Sequence, residues 1–209
     1  MKLERGKLIT KPEQLAKLKS SDRYDPSTPD GVSPRWLPGS KAETFSSQGD
    51  EHSPDGTVDE SAANAKAQID KRLRKATALK SSLNGPELYR FIDDAWTVSD
   101  DASSLDEVII GWGSTKSVVL DTVREMQRSS PDRKIGYLHY TYLWPLKTEM
   151  IEALHAQKIK LTLVEGNALG QLGMLIRQEC GISVDRKILK YDGRPFFVNE
   201  LIQLLTSNA

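Results

Sequence analysis

The chain has 209 residues with 29 basic and 29 acidic side chains, so its overall charge carries no footprint for nucleic acid or an anionic membrane. A single cysteine, Cys180, excludes an intrachain disulfide and a cysteine-only metal site, and His52, His139 and His155 lack metal-ligand spacing. No apolar run approaches the roughly 20 residues of a membrane span, and no apolar signal core stands near the N-terminus, so the expected location is the cytoplasm.

Apolar residues make up 38% of the chain and are unevenly spread. Residues 1–65 are rich in Ser, Asp, Lys, Pro and Gly, whereas 105–209 have the density of an ordinary core. One true core is therefore expected, carried by the C-terminal half. The start, MKLERGKLIT, reads like the middle of a longer sequence.

Taken in order, residues 1–60 read as an extended irregular arm. Pro26, Pro29, Pro34, Pro38 and Pro54 alternate with Gly31, Gly39, Gly49 and Gly56, a composition that sustains neither a helix nor a central strand. Trp36 and Phe45 favour an arm that orders against another surface. Alone it is expected to be highly mobile, because it buries little to offset an ordering cost of about 1–2 kcal/mol per residue. Residues 61–104 read as a basic amphipathic helix and a connector. Ile69, Leu73, Ala76, Leu79 and Leu83 form the apolar stripe by which that helix is expected to pack. Lys66, Lys71, Arg72, Arg74, Lys75 and Lys80 surround the stripe, and Asn84-Gly85-Pro86 ends the helix. The acidic connector leaves room for an edge strand near Leu88–Ile92.

From residue 105 the pattern alternates. Strands are expected at 108–110, 134–139, 159–164 and 187–191, and helices capped by Ser114 or Thr115, over 148–156, from a cap at Asn167 to 179, and over 198–205 capped by Asn199 or its neighbours. Such alternation forces right-handed crossovers and a mostly parallel open sheet of four to five strands with helices on both faces.

Three loops are candidates for chemistry. Gly111-Trp-Gly-Ser-Thr-Lys116 lies between strand and helix, where a phosphate-binding turn would be, but Lys116 replaces the third glycine of the dinucleotide fingerprint. A tight turn with an interface tryptophan is the other reading. Glu165-Gly-Asn-Ala-Leu-Gly-Gln171 offers a possible general base in Glu165, while Gly170 and Gly173 remove side chains for close packing against a neighbour. Gly49–Gly56 gathers Asp50, Glu51, His52 and Asp55, either a polar surface loop or a site for proton transfer or metal.

These stretches together resemble the C-terminal part of the α subunit of 2-oxoacid:ferredoxin oxidoreductases, most closely the 2-oxoglutarate type. The resemblance rests on DGVSPRWLPG (30–39), GDEHSPDG (49–56), IDKRLRKA (69–76), GWGSTK (111–116), GYLHYTYLWPL (136–146), VEGNALGQLGMLIRQECGI (164–182) and KYDGRPF (190–196), in the family's order and spacing. It implies a transketolase C-terminal-domain-like region with a leading arm. The activity implied is oxidative decarboxylation of a 2-oxoacid, 2-oxoglutarate to succinyl-CoA, with coenzyme A as acceptor and ferredoxin reduced. Thiamine diphosphate, Mg and an iron–sulfur cluster are implied for the whole complex. The implied partners are the thiamine diphosphate-binding β subunit and, through the complex, ferredoxin, with no nucleic acid and no membrane.

The family's pyrimidine-binding domain, with its Tyr-Pro-Ile-Thr-Pro type motif and activating glutamate, has no counterpart here, and no cysteine cluster is present. The isolated chain is thus expected to be inactive, with no catalytic residue and no cofactor of its own, as a fragment or one part of a split subunit. By the resemblance, Arg35, Asp50, Glu51 and His52 are substrate-loop candidates. Trp112, Gly113, Trp144, Asn167, Gly170, Gln171 and Gly173 are subunit-interface candidates, with Gly170→Leu expected to keep the fold and abolish association. Two other readings stay open: a free-standing nucleotide- or CoA-binding module using GWGSTK, and a pyruvate-type relative in a similar assembly.

Overall fold

Alternation of apolar runs with amphipathic segments produces the expected layered architecture. The computed structural model describes residues 5–207. The chain divides into two compact units, Met1–Ser82 and Leu83–Ala209.

In the second unit, β1 (Glu87–Ile92) and β2 (Ala95–Val98) precede β3 (Glu107–Trp112), α3 (Thr115–Ser129), β4 (Ile135–Tyr140), α4 (Glu149–Ala156), β5 (Lys160–Glu165), α5 (Gln171–Cys180), β6 (Arg186–Leu189) and α6 (Val198–Thr206). They form one six-stranded sheet in the order β2-β1-β4-β3-β5-β6. β3 pairs in parallel with β4 and β5, and β5 with β6. Ile110 and Leu163, partners across β3 and β5, are fully buried, as strands covered on both faces require. On one face Val119, Val123 and Met126 of α3 meet Leu201 and Leu205 of α6. On the other, Ile151 and Leu154 of α4 join Leu172 and Ile176 of α5.

The sheet has two more strands than the regular alternation supplies. The acidic stretch expected to be a connector forms a hairpin, with β1 antiparallel to both β2 and β4, so β1 lies inside the sheet and not at its edge. The two-residue turn is Asp93-Asp94, both with positive φ (50° and 60°), the backbone that a right-twisted hairpin needs. Aspartate tolerates that region better than most side chains.

Helix starts agree with expectation in position more than in hydrogen bonding. Ser114, one of the two expected caps, takes the N-cap position of α3 without a side-chain hydrogen bond, and Thr115 Oγ1 donates to Trp112 O at 2.8 Å. At α6 the cap is made by a neighbour of Asn199: the Glu200 carboxylate accepts from the N-cap Phe197 N at 3.3 Å.

The first unit holds α1 (Pro12–Leu15), a 3-10 turn (Ser20–Asp22) and α2 (Ala62–Ser82). The arm lies on α2, but not by the expected stripe. Ile69, Leu73 and Leu79 are exposed, and the buried positions of the helix are Gln68 and Lys71. Gln68 Nε2 donates to Tyr24 O at 3.1 Å, Lys71 Nζ to Ser33 Oγ at 2.6 Å, and Asn64 Nδ2 to His52 O at 2.9 Å. These positions recur at helical spacing on a polar face. The arm presents carbonyls and hydroxyls rather than apolar side chains, and amide and lysine side chains satisfy them. Gly31 (φ +70°) allows the closest approach: a Cβ there would stand 2.4 Å from Lys71 O.

Among the described residues, Leu15 and Trp36 are the buried apolar side chains of this unit, so its fastening is mainly polar. Several arm carboxyls are held below their ordinary range. For Glu51 the main cause is the Arg72 guanidinium, for Asp30 the Lys7 ammonium, and for Glu43 the Ser20 amide; Asp55 falls to about 2 through the Ser53 hydroxyl. Each pKa is lower folded than unfolded. The stabilisation is therefore complete above the ordinary carboxylate range and is lost as pH falls through it toward the folded values. We predict that hydrogen-exchange protection over residues 20–58 fades below about pH 4 while that of β3 and β5 persists. Equal acid sensitivity of the sheet would contradict this polar fastening.

Candidate functional site

Parallel strands place the loops after β3, β4, β5 and β6 along one edge of the sheet. The chain runs from β3 to β4 on one side and returns across it to β5, so the order reverses between β3 and β5. That point is where open α/β sheets form a crevice. A cavity of about 270 Å3 opens there, lined by Trp112, Gly113, Ser114, Thr115, Gly166, Asn167 and Gln171.

Two of these lining residues, Trp112 and Asn167, are bound to Glu165, the last residue of β5 and fully buried. Trp112 Nε1 donates to Glu165 Oε1 at 2.7 Å, Asn167 Nδ2 donates to the same oxygen at 2.9 Å, and Leu172 N donates to both oxygens at 3.1 Å. One carboxylate thus joins the end of β3, the loop after β5 and the first turn of α5, where the helix dipole favours negative charge. Every donor that reaches Glu165 belongs to this framework, so the general-base reading gives way to a structural one.

Asn167 stands four residues before α5 and is not its immediate cap. Its Oδ1 accepts from Leu169 N, Gly170 N and Gln171 N at 3.1, 2.7 and 3.3 Å, gathering the amides that lead into the helix. Gly170 is the N-cap with φ +68°. A Cβ on Gly170 would lie 3.2 Å from Lys187 Cδ and 3.3 Å from Leu163 Cδ2, and one on Gly173 would lie 2.8 Å from Leu163 Cδ2. Both glycines therefore serve close packing of α5 on this chain's own β5 and β6. Gly170→Leu would strain the fold, and reports on folding before it reports on association.

GWGSTK is likewise absorbed locally. Gly111 lets Thr115 and Tyr137 approach, Gly113 takes φ +59°, and Lys116 Nζ donates to Tyr89 OH at 2.6 Å and Glu87 Oε2 at 3.2 Å. The Tyr89 bond is the main cause that raises the Lys116 pKa. In the adjoining cavity of about 650 Å3, Lys190 and Arg194 are neutralised by Glu200 and Asp192. Neither loop presents a free cation to a nucleotide phosphate. Close by, burial lowers the His139 pKa, and its Nδ1 lies 2.9 Å from Tyr137 OH.

What the edge does present is apolar surface. Tyr142 and Trp144 after β4, Leu169 and Met174 after β5, and Tyr191 and Phe197 after β6 are all exposed, Trp144 by 63% and Leu169 by 62%. Of the candidates in these loops, Gly113, Trp144 and Gln171 are exposed, whereas Trp112 and Asn167 are partly buried in the Glu165 network. Leu169, Met174 and Phe197 were legible as apolar residues. Their outward direction was not, because it depends on how each loop leaves its strand.

The arm candidates lie in the first unit. Arg35 and His52 line one cavity. Arg35 donates to Arg5 O at 2.8 Å, and His52 lies against Tyr24 with ring centroids 4.1 Å apart. Glu51 is bound by Arg72 at 2.6 Å, and Asp50 is exposed. Arg23, Tyr24 and Lys71 share that cavity and were missed, since only the folded arm brings them together.

This is an α/β sheet domain whose strand-end loops are joined by a buried carboxylate and rimmed by apolar side chains. No protein-family model matches the chain. Over 205 residues it is 30% identical to the α subunit of 2-oxoacid:ferredoxin oxidoreductase 1 of Sulfurisphaera tokodaii, covering 98% of this chain and 29% of that one. It is 28% identical over 207 residues to the corresponding α subunit of Aeropyrum pernix, covering 97% and 29%. A solved structure of 2-oxoglutarate:ferredoxin oxidoreductase from Magnetococcus marinus, with 2-oxoglutarate, coenzyme A and succinyl-CoA bound, superimposes with a TM-score of 0.68 at 26% identity, over 88% of this chain and 30% of that one. The chain is a homologue of part of the α subunits of 2-oxoacid:ferredoxin oxidoreductases, and it spans under a third of the length of the curated relatives it matches.

Removing Glu165 should test the framework. Glu165→Ala orphans the Trp112 indole N–H and the Leu172 amide, at about 1–3 kcal/mol for each buried donor. Urea unfolding is expected to show a loss of at least about 2 kcal/mol. A change within about 0.5 kcal/mol, the range of ordinary surface substitutions, would show that the carboxylate does not hold these loops.

Proposed function

We propose that this chain acts within a 2-oxoacid:ferredoxin oxidoreductase that converts 2-oxoglutarate to succinyl-CoA, serving subunit assembly and coverage of the active site rather than the chemistry. The observation that carries this reading is the row of exposed apolar side chains on three successive strand-end loops, Tyr142 to Phe197. Such clustering on a sheet edge marks a surface that another polypeptide covers. The partner proposed is the thiamine diphosphate-binding β subunit, with ferredoxin engaged through the complex and the whole located in the cytoplasm. Among the described residues no helix is long and apolar enough to cross a membrane.

Cofactor chemistry is assigned to the complex. An iron–sulfur cluster does not fit this donor set, because the chain has one cysteine and Cys180 Sγ is bonded to Ile176 O at 3.2 Å. The arm loop with Arg35, Asp50, Glu51 and His52 is proposed to shape access to substrate.

Two substitutions test the docking edge while sparing the core. Leu169→Asp and Trp144→Ala remove exposed side chains, and a buried side chain of this size contributes about 1.5–3 kcal/mol on association. Co-purification with a tagged β subunit is expected to fall at least about tenfold for either variant, with unchanged circular dichroism and urea midpoint. Wild-type recovery of both variants would contradict the docking role.

A further inference from the structure

The first unit contains a cavity of about 510 Å3 in which positive charge converges with no matching acid among the described residues. Arg5, Lys7, Arg23 and Arg35 of the arm line it, together with Lys71, Arg72 and Lys75 of α2, and among the described residues no aspartate or glutamate does. Lys7 is paired with Asp30 at 2.8 Å and Arg72 with Glu51 at 2.6 Å. Among the described residues the other five cations form no ion pair within 4.0 Å.

The best buried of them is Lys71, whose ammonium meets the neutral hydroxyl of Ser33 at 2.6 Å. Burial pushes its pKa down, and the positive charges of Arg23, Lys75 and Arg72 push the same way against Asp25. Two further polar atoms of the lining, Arg23 Nε and His52 Nδ1, are buried and have no hydrogen-bond partner among the described residues. One wall is aromatic: the Arg23 guanidinium lies 4.6 Å over the Tyr24 ring, which in turn meets His52. Like charges gathered this closely raise each other's energy, and an anion in the cavity removes that cost.

We propose that this cavity binds a small molecule carrying two or more linked phosphate groups. Five cations without an ion pair among the described residues exceed the charge of a monophosphate or a dicarboxylate. Guanidinium groups also match phosphate oxygens in bidentate geometry. The site lies wholly within the first unit and stands whether or not the strand-end edge of the second docks a partner.

Titration calorimetry on the 209-residue chain, with inorganic pyrophosphate as probe, tests the proposal. Saturable binding is expected, at least about tenfold tighter than that of inorganic phosphate or 2-oxoglutarate, and weakening with salt. Lys75→Gln, at an exposed position of α2, should weaken it roughly fivefold, and Arg23→Gln by at least as much, while Lys80→Gln outside the cavity leaves it unchanged. The proposal is overturned if pyrophosphate shows no saturable binding, if it binds all three variants alike, or if 2-oxoglutarate binds more tightly. Thermal unfolding of each variant separates loss of the site from loss of the fold.

Discussion

The Glu165 carboxylate is the point on which the edge of the sheet depends. It is fully buried at the end of β5 and receives the Trp112 indole, the Asn167 amide and the Leu172 backbone N–H. A buried charge is tolerable only when its lone pairs are filled, and here the donors come from the end of β3, the loop after β5 and the first turn of α5. Desolvation and connectivity are thus solved by the same contacts. The loops they fix hold Leu169 and Met174 outward while Leu172 and Ile176 face the core.

The two units are built on different physics. The second is held by apolar packing on both faces of a six-stranded sheet. The first is held by side chains of α2 that satisfy the carbonyls, hydroxyls and carboxylates of a proline- and glycine-rich arm. That difference explains how a segment of low apolar content takes a defined path, and why its order should depend on pH. It also places several cations that have no ion pair among the described residues at the helix–arm contact, where Lys71 is buried against Ser33.

Much of the second unit was legible because periodicity reports burial directly. The strands expected to end at Ile110, His139 and Val164 end one or two residues later, at Trp112, Tyr140 and Glu165. The hairpin of β1 and β2 was only half visible: its turn is Asp93-Asp94, without the glycine that usually marks such a turn. The α2 stripe was read on the wrong face, since periodicity shows which residues are apolar but not that the partner surface is polar. Gly170 and Gly173 signalled close packing correctly, yet their spacing could not tell this chain's own Leu163 from another subunit. The arm motif was recognisable as a set of residues. Its grouping of Arg35 with His52, and separation of both from Asp50, required the fold.

Hydrogen exchange on the full chain, alone and after assembly with the β subunit, addresses the central claim most directly. If the strand-end edge is the docking surface, amides in 140–146 and 166–174 gain protection on assembly, while those on the opposite edge of the sheet do not. Protection confined to the opposite edge, or no change in either loop, would contradict it.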